Sequence, residues 1–147
     1  MKVDIKINPN IKEESVIFNL REMTPQFSEL IELMTTDSRN EIIMYSDNVI
    51  RIIKLNEVVC FTTTDKKVIV HTSSNEEFLY KNSLKYIEQT INSHMLLRVS
   101  QSTIINTNYV KCFEVEFNGT LKVVFKNGHI EYVSRRYVKR IKEYFRI

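Results

Sequence analysis

The sequence predicts a mostly β protein, and three observations lead to that class. Of 147 residues, 43 are β-branched (18 Ile, 14 Val and 11 Thr), and alanine is absent. Such stiff side chains favour strands over helices. From residue 41 onward, short strand-like runs follow one another, separated by polar turn residues. Both glycines stand in Asn-Gly pairs between such runs, which is the strongest short signal of a hairpin.

The first 40 residues predict a small α+β segment. KVDIKIN (2–8) alternates apolar and polar residues, as a half-buried strand does, and ESVIFNL (14–20) indicates a second short strand. Thr24 and Pro25 then form a helix start, with Thr as the N-cap and Pro at the first helical position. An amphipathic helix should follow, because apolar residues recur at helical spacing: Phe27, Leu30, Ile31 and Met34.

Strands and turns alternate after the polar stretch TTDSRN (35–40), which is the best domain boundary. We therefore divide the chain into a strand-strand-helix segment, 1–40, and a second domain, 41–147. Its strand-like runs are EIIMYS, NVIRIIKL, EVVCFT, KKVIVHT, EEFLYK, MLLRV, STIIN, YVKCFEVEF, TLKVVFK and HIEYVS. A short helix is predicted after the cap Asn82-Ser83, and another over 135–146. The Asn-Gly pairs predict type I′ turns, which need positive φ at both central residues.

Metal binding and catalysis are not predicted. Cys60 and Cys112 lie in apolar contexts, so we expect two buried free thiols in a reducing compartment. The histidines are scattered at 71, 94 and 129 and do not supply clustered metal ligands. The sequence has no Gly-rich phosphate loop and no nucleophile elbow. We therefore expect no enzyme activity, no cofactor, no metal and no small-molecule substrate.

Positive charge is concentrated at the C-terminal end of the chain. The net charge is −2 over residues 1–40, zero over 41–107 and +5 over 108–147. A basic end on a neutral body favours an anionic partner, most often nucleic acid, although a solubilising helix face would look the same.

Three polar segments that carry cations interrupt the β pattern. They are TTTDKK (62–67), RVSQS (98–102) and SRRYVKR (134–140). Cations neutralise phosphate, and Gln and Arg can form bidentate contacts with adenine and guanine. Each segment alone could equally be a solvated loop, but it is less expected that none of three such segments in one protein binds a partner.

Two motifs within these segments carry a family resemblance. They are Arg98-x-Ser100-x-Ser102-x-x-x-Asn106 and Ser134-Arg135-Arg136-Tyr137-Val138. Together with EVVCFTTTDKKVIVHT and SLKYIEQTI, they make the sequence from about 41 to 145 resemble the LytTR DNA-binding domain of bacterial transcription regulators. Many members have histidine where this chain has Ser100; serine is found in a subgroup of short regulators.

The resemblance implies a ten-stranded, mostly antiparallel arrangement of small sheets with a short helix. Loops, rather than a helix, would enter successive major grooves of double-stranded DNA. By position, the resemblance assigns DNA contacts to Lys66, Ser100, Gln101, Ser102 and Arg136, with Arg98 near the backbone and Arg135 and Lys139 flanking Arg136. Asn106 is expected to be structural, tying a strand end.

The resemblance also suggests how the first 40 residues are used. Many relatives carry a receiver domain in front, which this segment is too short to form. Its apolar stripe must bury either against another chain, as a dimerisation arm, or against the sheet of the same chain. The segment could also be a docking surface for an inhibitor, since short members often look like partners of a small membrane protein that restrains them. No apolar run is long enough to span a bilayer, and no secretory signal is visible.

We therefore expect a cytoplasmic, homodimeric transcription regulator that binds a specific sequence in double-stranded DNA. The alternative, from a different class, is a protein-interaction module whose basic C-terminal segment docks an acidic partner.

Overall fold

The computed structural model of the protein describes residues 4–12, 15–35, 41–91 and 93–147. The chain divides into two compact units, Met1–Asp37 and Ser38–Ile147, and each is described by itself. Of the polar stretch 35–40, in which the sequence places the domain boundary, residues 36–40 lie outside the described residues. Within the ranges described, no helix is both long and apolar enough to cross a membrane.

The first unit contains the predicted helix, α1 (Pro25–Thr35). The N–H of Phe27 donates to Oγ1 of Thr24 at 3.4 Å, which confirms the helix start. The two strands predicted before it are not formed in the described parts of KVDIKIN and ESVIFNL, where Ile5 and Ile17 are each 82% exposed. A short strand is stable only when it pairs within a sheet that covers an apolar face, and alternation alone supplies no such partner.

Seven strands form the main sheet of the second unit. They are β1 (Glu41–Ser46), β2 (Val49–Lys54), β3 (Val58–Thr64), β4 (Lys67–Thr72), β5 (Glu77–Tyr80), β6 (Leu96–Ser100) and β7 (Thr103–Asn106). Their order is β2-β1-β5-β4-β3-β7-β6, and all neighbours are antiparallel. The predicted short helix, α2 (Leu84–Thr90), links β5 to β6 and begins where Oγ of Ser83 accepts the N–H of Tyr86 at 3.1 Å.

A smaller sheet and a helix complete this unit. The sheet contains β8 (Val110–Val115), β9 (Leu121–Phe125) and β10 (Ile130–Val133), in the order β10-β9-β8. Helix α3 (Arg135–Phe145) follows β10 directly. The mostly β class, and the ten antiparallel strands expected between residues 41 and 133, are therefore confirmed.

The main sheet is buried on both faces at its centre. On β3, Phe61 belongs to an apolar core shared with α2, while the adjacent Cys60 belongs to a second core shared with β9 and α3. Ile104 and Ile105 on β7 divide between the two cores in the same way. A strand that is buried on both faces needs a continuous apolar run, which explains EVVCF and TIIN. The main sheet therefore lies between α2 and the small sheet with α3.

The two Asn-Gly turns correct a prediction. Gly119 and Gly128 have φ of 80° and 86°, but the asparagine before each has no positive φ. In the second turn the N–H of Phe125 donates to the carbonyl of His129 at 2.9 Å, so the loop between these two bonded residues has three residues. A three-residue hairpin loop needs positive φ only at its last residue, which glycine supplies. The hairpins form as predicted, but their turns are not type I′.

Cys112 is exposed, so the prediction of two buried cysteines is wrong for one of them. Cys60 is fully buried and free, as expected. A register shift between Val110 and Cys112 interrupts the β8–β9 ladder. Such a bulge turns the residues after it toward the opposite face of the sheet. The apolar run around Cys112 therefore does not place its side chain in the core.

Candidate nucleic-acid interface

The first predicted segment forms the hairpin between β3 and β4. Thr64 pairs with Lys67, and the central residues Asp65 and Lys66 have φ of 50° and 63°. Positive φ at both positions matches the type I′ turn, whose twist follows that of the strands. The turn therefore presents the exposed Lys66 at the end of the main sheet.

The second segment is the turn between β6 and β7. The N–H of Ser102 donates to Oγ of Ser100 at 3.2 Å, and the two hydroxyl oxygens lie 3.3 Å apart. Gln101 between them is exposed. The N–H of Thr63, on β3, donates to the carbonyl of Ser102 at 2.8 Å. This bond holds the second segment beside the first.

Arg98 supports the second segment with its whole guanidinium group. Its Nε donates to the carbonyl of Ser100 at 2.6 Å, and its Nη2 donates to the carbonyl of Gln101. Its Nη1 lies 3.3 Å from Oε2 of Glu88, on α2, and the side chain is only 15% exposed. Because all three nitrogens contact protein oxygens, Arg98 is suited to positioning the turn.

Replacing Arg98 by lysine is expected to destabilise this turn although the charge is unchanged. Lysine has one nitrogen and cannot bridge two carbonyls and a carboxylate at once. The free energy of unfolding, measured in urea, should fall by about 1–3 kcal/mol because charge-assisted hydrogen bonds are lost at a mostly buried position. Lys67→Arg, on the exposed start of β4, is the control. Equal stability of the two variants would contradict this role.

The third segment is the start of α3. The N–H of Ser134 donates to the carbonyl of Val99, on β6, at 2.9 Å, which holds the helix start beside the second segment. Arg135 and Arg136 are exposed, and in the described part of the chain neither forms an ion pair. Cations in the first helical turn are unfavourable, because the helix N-terminus carries partial positive charge. An external anion would offset this cost. Lys139 is exposed one turn further along.

A groove beside the first two segments contains more cations than the sequence predicted. Of the predicted residues, Lys66, Arg98 and Gln101 line it. Three more lysines line it as well: Lys67, Lys81 and Lys85. None of the described residues that line it is a carboxylate. The sequence did not identify Lys81 and Lys85 as part of this surface, because the local pattern KNSLK indicates only a helix cap. The cap comes near the β3–β4 turn only through the order of the strands in the sheet.

Asn106 has the structural role expected of it. Its side chain is fully buried. Its Nδ2 donates to the carbonyl of Val58 at 2.8 Å, and its Oδ1 accepts the N–H of Asn108 at 3.0 Å. The side chain therefore ties the end of β7 to the start of β3, away from the surface.

Two of the three histidines lie together, which corrects the view that they are scattered. Ligand atoms of Cys60, His71, His129 and Glu131 all lie within 4.8 Å of one another. Cys60 pairs with His71 across the β3–β4 ladder, and the β9–β10 hairpin supplies the other two residues. The prediction failed because it considered separation along the chain rather than strand pairing.

The sequence matches a family model and curated bacterial proteins. The LytTR family, described as the LytTr DNA-binding domain, matches residues 48–146. A protein of Staphylococcus aureus (strain NCTC 8325 / PS 47) named "Uncharacterized HTH-type transcriptional regulator" is 32% identical over 144 residues, which cover 97% of each chain. A protein of the same descriptive name from strain MRSA252 is 31% identical over the same length.

A solved structure has a similar fold. The LytTr DNA-binding domain of a methyl-accepting/DNA response regulator from Bacillus cereus superposes with a TM-score of 0.70 at 19% identity, covering 74% of this chain and 99% of that one. The described residues of this chain contain no helix-turn-helix, because five strands separate α2 from α3. The family match spans most of the chain and the curated relatives align along nearly all of it, so the chain belongs to the LytTR DNA-binding domain family.

Proposed function

We propose that the protein is a transcription regulator that binds a specific sequence in double-stranded DNA through loops in the major groove. The observation that carries this proposal is a pair of backbone hydrogen bonds, from Thr63 to Ser102 and from Ser134 to Val99. They join three basic segments that are far apart in the sequence. Three unrelated solvated loops would not need to be joined in this way. The juxtaposition of the three basic segments therefore favours one anionic partner that contacts all of them.

The side chains on this surface suit different parts of a DNA duplex. Gln101 and Arg136 are exposed and can form bidentate contacts with adenine and guanine, respectively. Ser100 and Ser102 offer hydroxyl groups at the second segment, and Arg98 positions their turn. Phosphate contacts are assigned to exposed cations of the three segments and the groove: Lys66, Arg135 and Lys139, with Lys67, Lys81 and Lys85.

Docking of an acidic protein on α3 is the competing function. The exposed cations of that helix, Arg136, Lys139 and Arg140, would serve it equally well. Membership in a DNA-binding family favours DNA. The first segment also favours DNA, because it lies on a different element and would make no contact in a complex formed by α3 alone.

Selection of binding sites from random duplexes by the purified full-length chain tests the proposal. We expect one short motif to be enriched, because Gln101 and Arg136 discriminate between base edges. A variant that lacks both side chains, Gln101→Ala with Arg136→Ala, is the control and should enrich much less. Retention of duplexes without enrichment of any motif would contradict sequence-specific binding.

We further propose that the segment 1–40 supports a homodimer. On α1, Leu30 and Met34 are 38% and 50% exposed, and the net charge of −2 over this segment opposes phosphate binding. The membrane-bound inhibitor implied by the family resemblance stays a prediction for the same segment.

Analytical ultracentrifugation of the full-length chain and of residues 41–147 measures this self-association. We expect the full-length chain to be dimeric at tens of micromolar and the shorter chain to be monomeric, because only the former carries the apolar stripe of α1. Leu30→Glu in the full-length chain should shift it toward monomer by placing a charge on that stripe. Two monomeric species would show that the segment is not a dimerisation arm.

A further inference from the structure

Four potential metal ligands lie at the seam between the two sheets of the second unit. Cys60 on β3 and His71 on β4 belong to the main sheet, whereas His129 precedes β10 and Glu131 lies on it. One ligand atom from each residue lies within 4.8 Å of all the others. We propose that these four side chains form a structural zinc site that clamps the small sheet to the main sheet.

The chemistry of the four groups favours zinc. A thiolate with two imidazoles and one carboxylate is a borderline-soft donor set, whereas Mg²⁺ and Ca²⁺ prefer oxygen ligands alone. Four protein ligands fill a tetrahedral shell and leave no open position, as in structural rather than catalytic zinc sites. The thiol of Cys60 is fully buried. Zinc binds cysteine as the thiolate, so binding of zinc would displace the proton of this thiol.

The distances are close to those that zinc requires. Bonds of about 2.0–2.3 Å place tetrahedral ligand atoms roughly 3.3–3.8 Å apart, so the present spread of 4.8 Å must contract by about an ångström. The rings of His71 and His129 already lie 4.6 Å apart between centroids. Nε2 of His129 lies 2.7 Å from Oε1 of Glu131, a contact that an intervening metal would replace.

A second layer of contacts is in place around His71. One ring nitrogen, Nε2, lies 2.7 Å from Oγ1 of Thr62, and the other, Nδ1, lies 3.3 Å from Oε1 of Glu77. A histidine that binds zinc through one nitrogen usually gives the N–H of the other to a carboxylate or an oxygen of this kind. Either contact can therefore remain and orient the ring.

The position of the cluster gives the site a structural consequence. The side chains of His71, His129 and Glu131 are 12%, 27% and 20% exposed, so an ion has access from the surface. His129 and Glu131 flank the start of β10, whose other end leads into α3. A bound ion would therefore stabilise the docking of the small sheet, and with it the start of α3, on the main sheet.

Metal binding to the full-length chain, stripped with a chelator and dialysed, tests the proposal. We expect Zn²⁺ to bind with one ion per chain in isothermal titration calorimetry. At a concentration of about 100 times Kd, it should raise the midpoint of thermal unfolding by roughly 5–10 °C. Co²⁺, used as a spectroscopic probe, should show tetrahedral absorption bands and a thiolate charge-transfer band.

Variants separate this site from other metal-binding groups. His129→Gln and Glu131→Gln alter partly exposed ligands and should weaken binding at least tenfold, with the metal-free fold verified by circular dichroism. Cys60→Ser should remove the thiolate band of Co²⁺. Cys112→Ser and His94→Gln, which replace the other cysteine and histidine, are the controls and should bind as the parent chain does.

Three results would overturn the proposal. They are an absence of Zn²⁺ binding at micromolar concentrations, a Co²⁺ complex without a thiolate band, and binding that survives in His129→Gln but is lost in Cys112→Ser. None of these measurements depends on DNA binding, so they can refute the zinc site without refuting the proposed function.

Discussion

Replacing Arg136 by alanine is expected to weaken binding to the cognate duplex by about 1–3 kcal/mol, or roughly 5- to 150-fold. The guanidinium is exposed in the first turn of α3, beside the β6–β7 turn. An arginine there can bind O6 and N7 of a guanine at once. The loss should therefore be concentrated on the cognate sequence, and selection with the variant should relax one base position.

The fold of this variant should not weaken. Removing a cation from the first turn of α3 relieves an unfavourable interaction with the helix dipole, which is worth about 0.3–1 kcal/mol. Lys142→Ala removes the same charge from the last turn of the helix and is the matched control, with a small effect on binding. Equal losses for Arg136→Ala on all duplexes would show that Arg136 contacts only phosphate.

Steep salt dependence is the second large effect expected. If about four or five of the six cations assigned to phosphate contacts neutralise a phosphate in the complex, the slope of log K against log salt should be near −4. A fourfold increase in salt would then lower the affinity roughly 250-fold. Arg98 is not counted among these cations, because its nitrogens already contact protein oxygens.

Single substitutions identify which cations contribute to that slope. Lys66→Ala and Lys81→Ala should each make the slope shallower by about one, because each removes one phosphate contact. Lys126→Ala, at the opposite end of the small sheet, is the control and should leave the slope unchanged. Affinity that is constant between low and physiological salt would contradict this surface and would favour docking of an acidic protein on α3.

Much of the second unit could be predicted, because its strands carry their own signals. EVVCF and TIIN are continuous apolar runs, and β3 and β7 are indeed buried on both faces. The first unit was predicted less well: Ile5 and Ile17 lie in strand-like runs but are exposed, since pairing depends on a partner that local sequence does not specify. Cys112 was wrongly predicted to be buried, because the alternation of apolar and polar residues does not reveal the bulge in β8.

The candidate interface could be predicted only where cations and polar residues interrupt a strand pattern. Lys66 and Arg136 stand out in this way. Lys81 and Lys85 do not, because they flank a helix cap and approach the first segment only through the order β5-β4-β3. The grouping of His71 with His129 was hidden for the same reason, since it depends on how the two sheets pack.

The affinity of the full-length chain for its selected duplex, compared with a scrambled duplex of equal length and composition at physiological salt, tests the central claim most directly. With base contacts from Gln101 and Arg136, we expect binding to the selected duplex to be at least about a thousandfold tighter. Equal affinity for the two duplexes would contradict a surface built to read sequence.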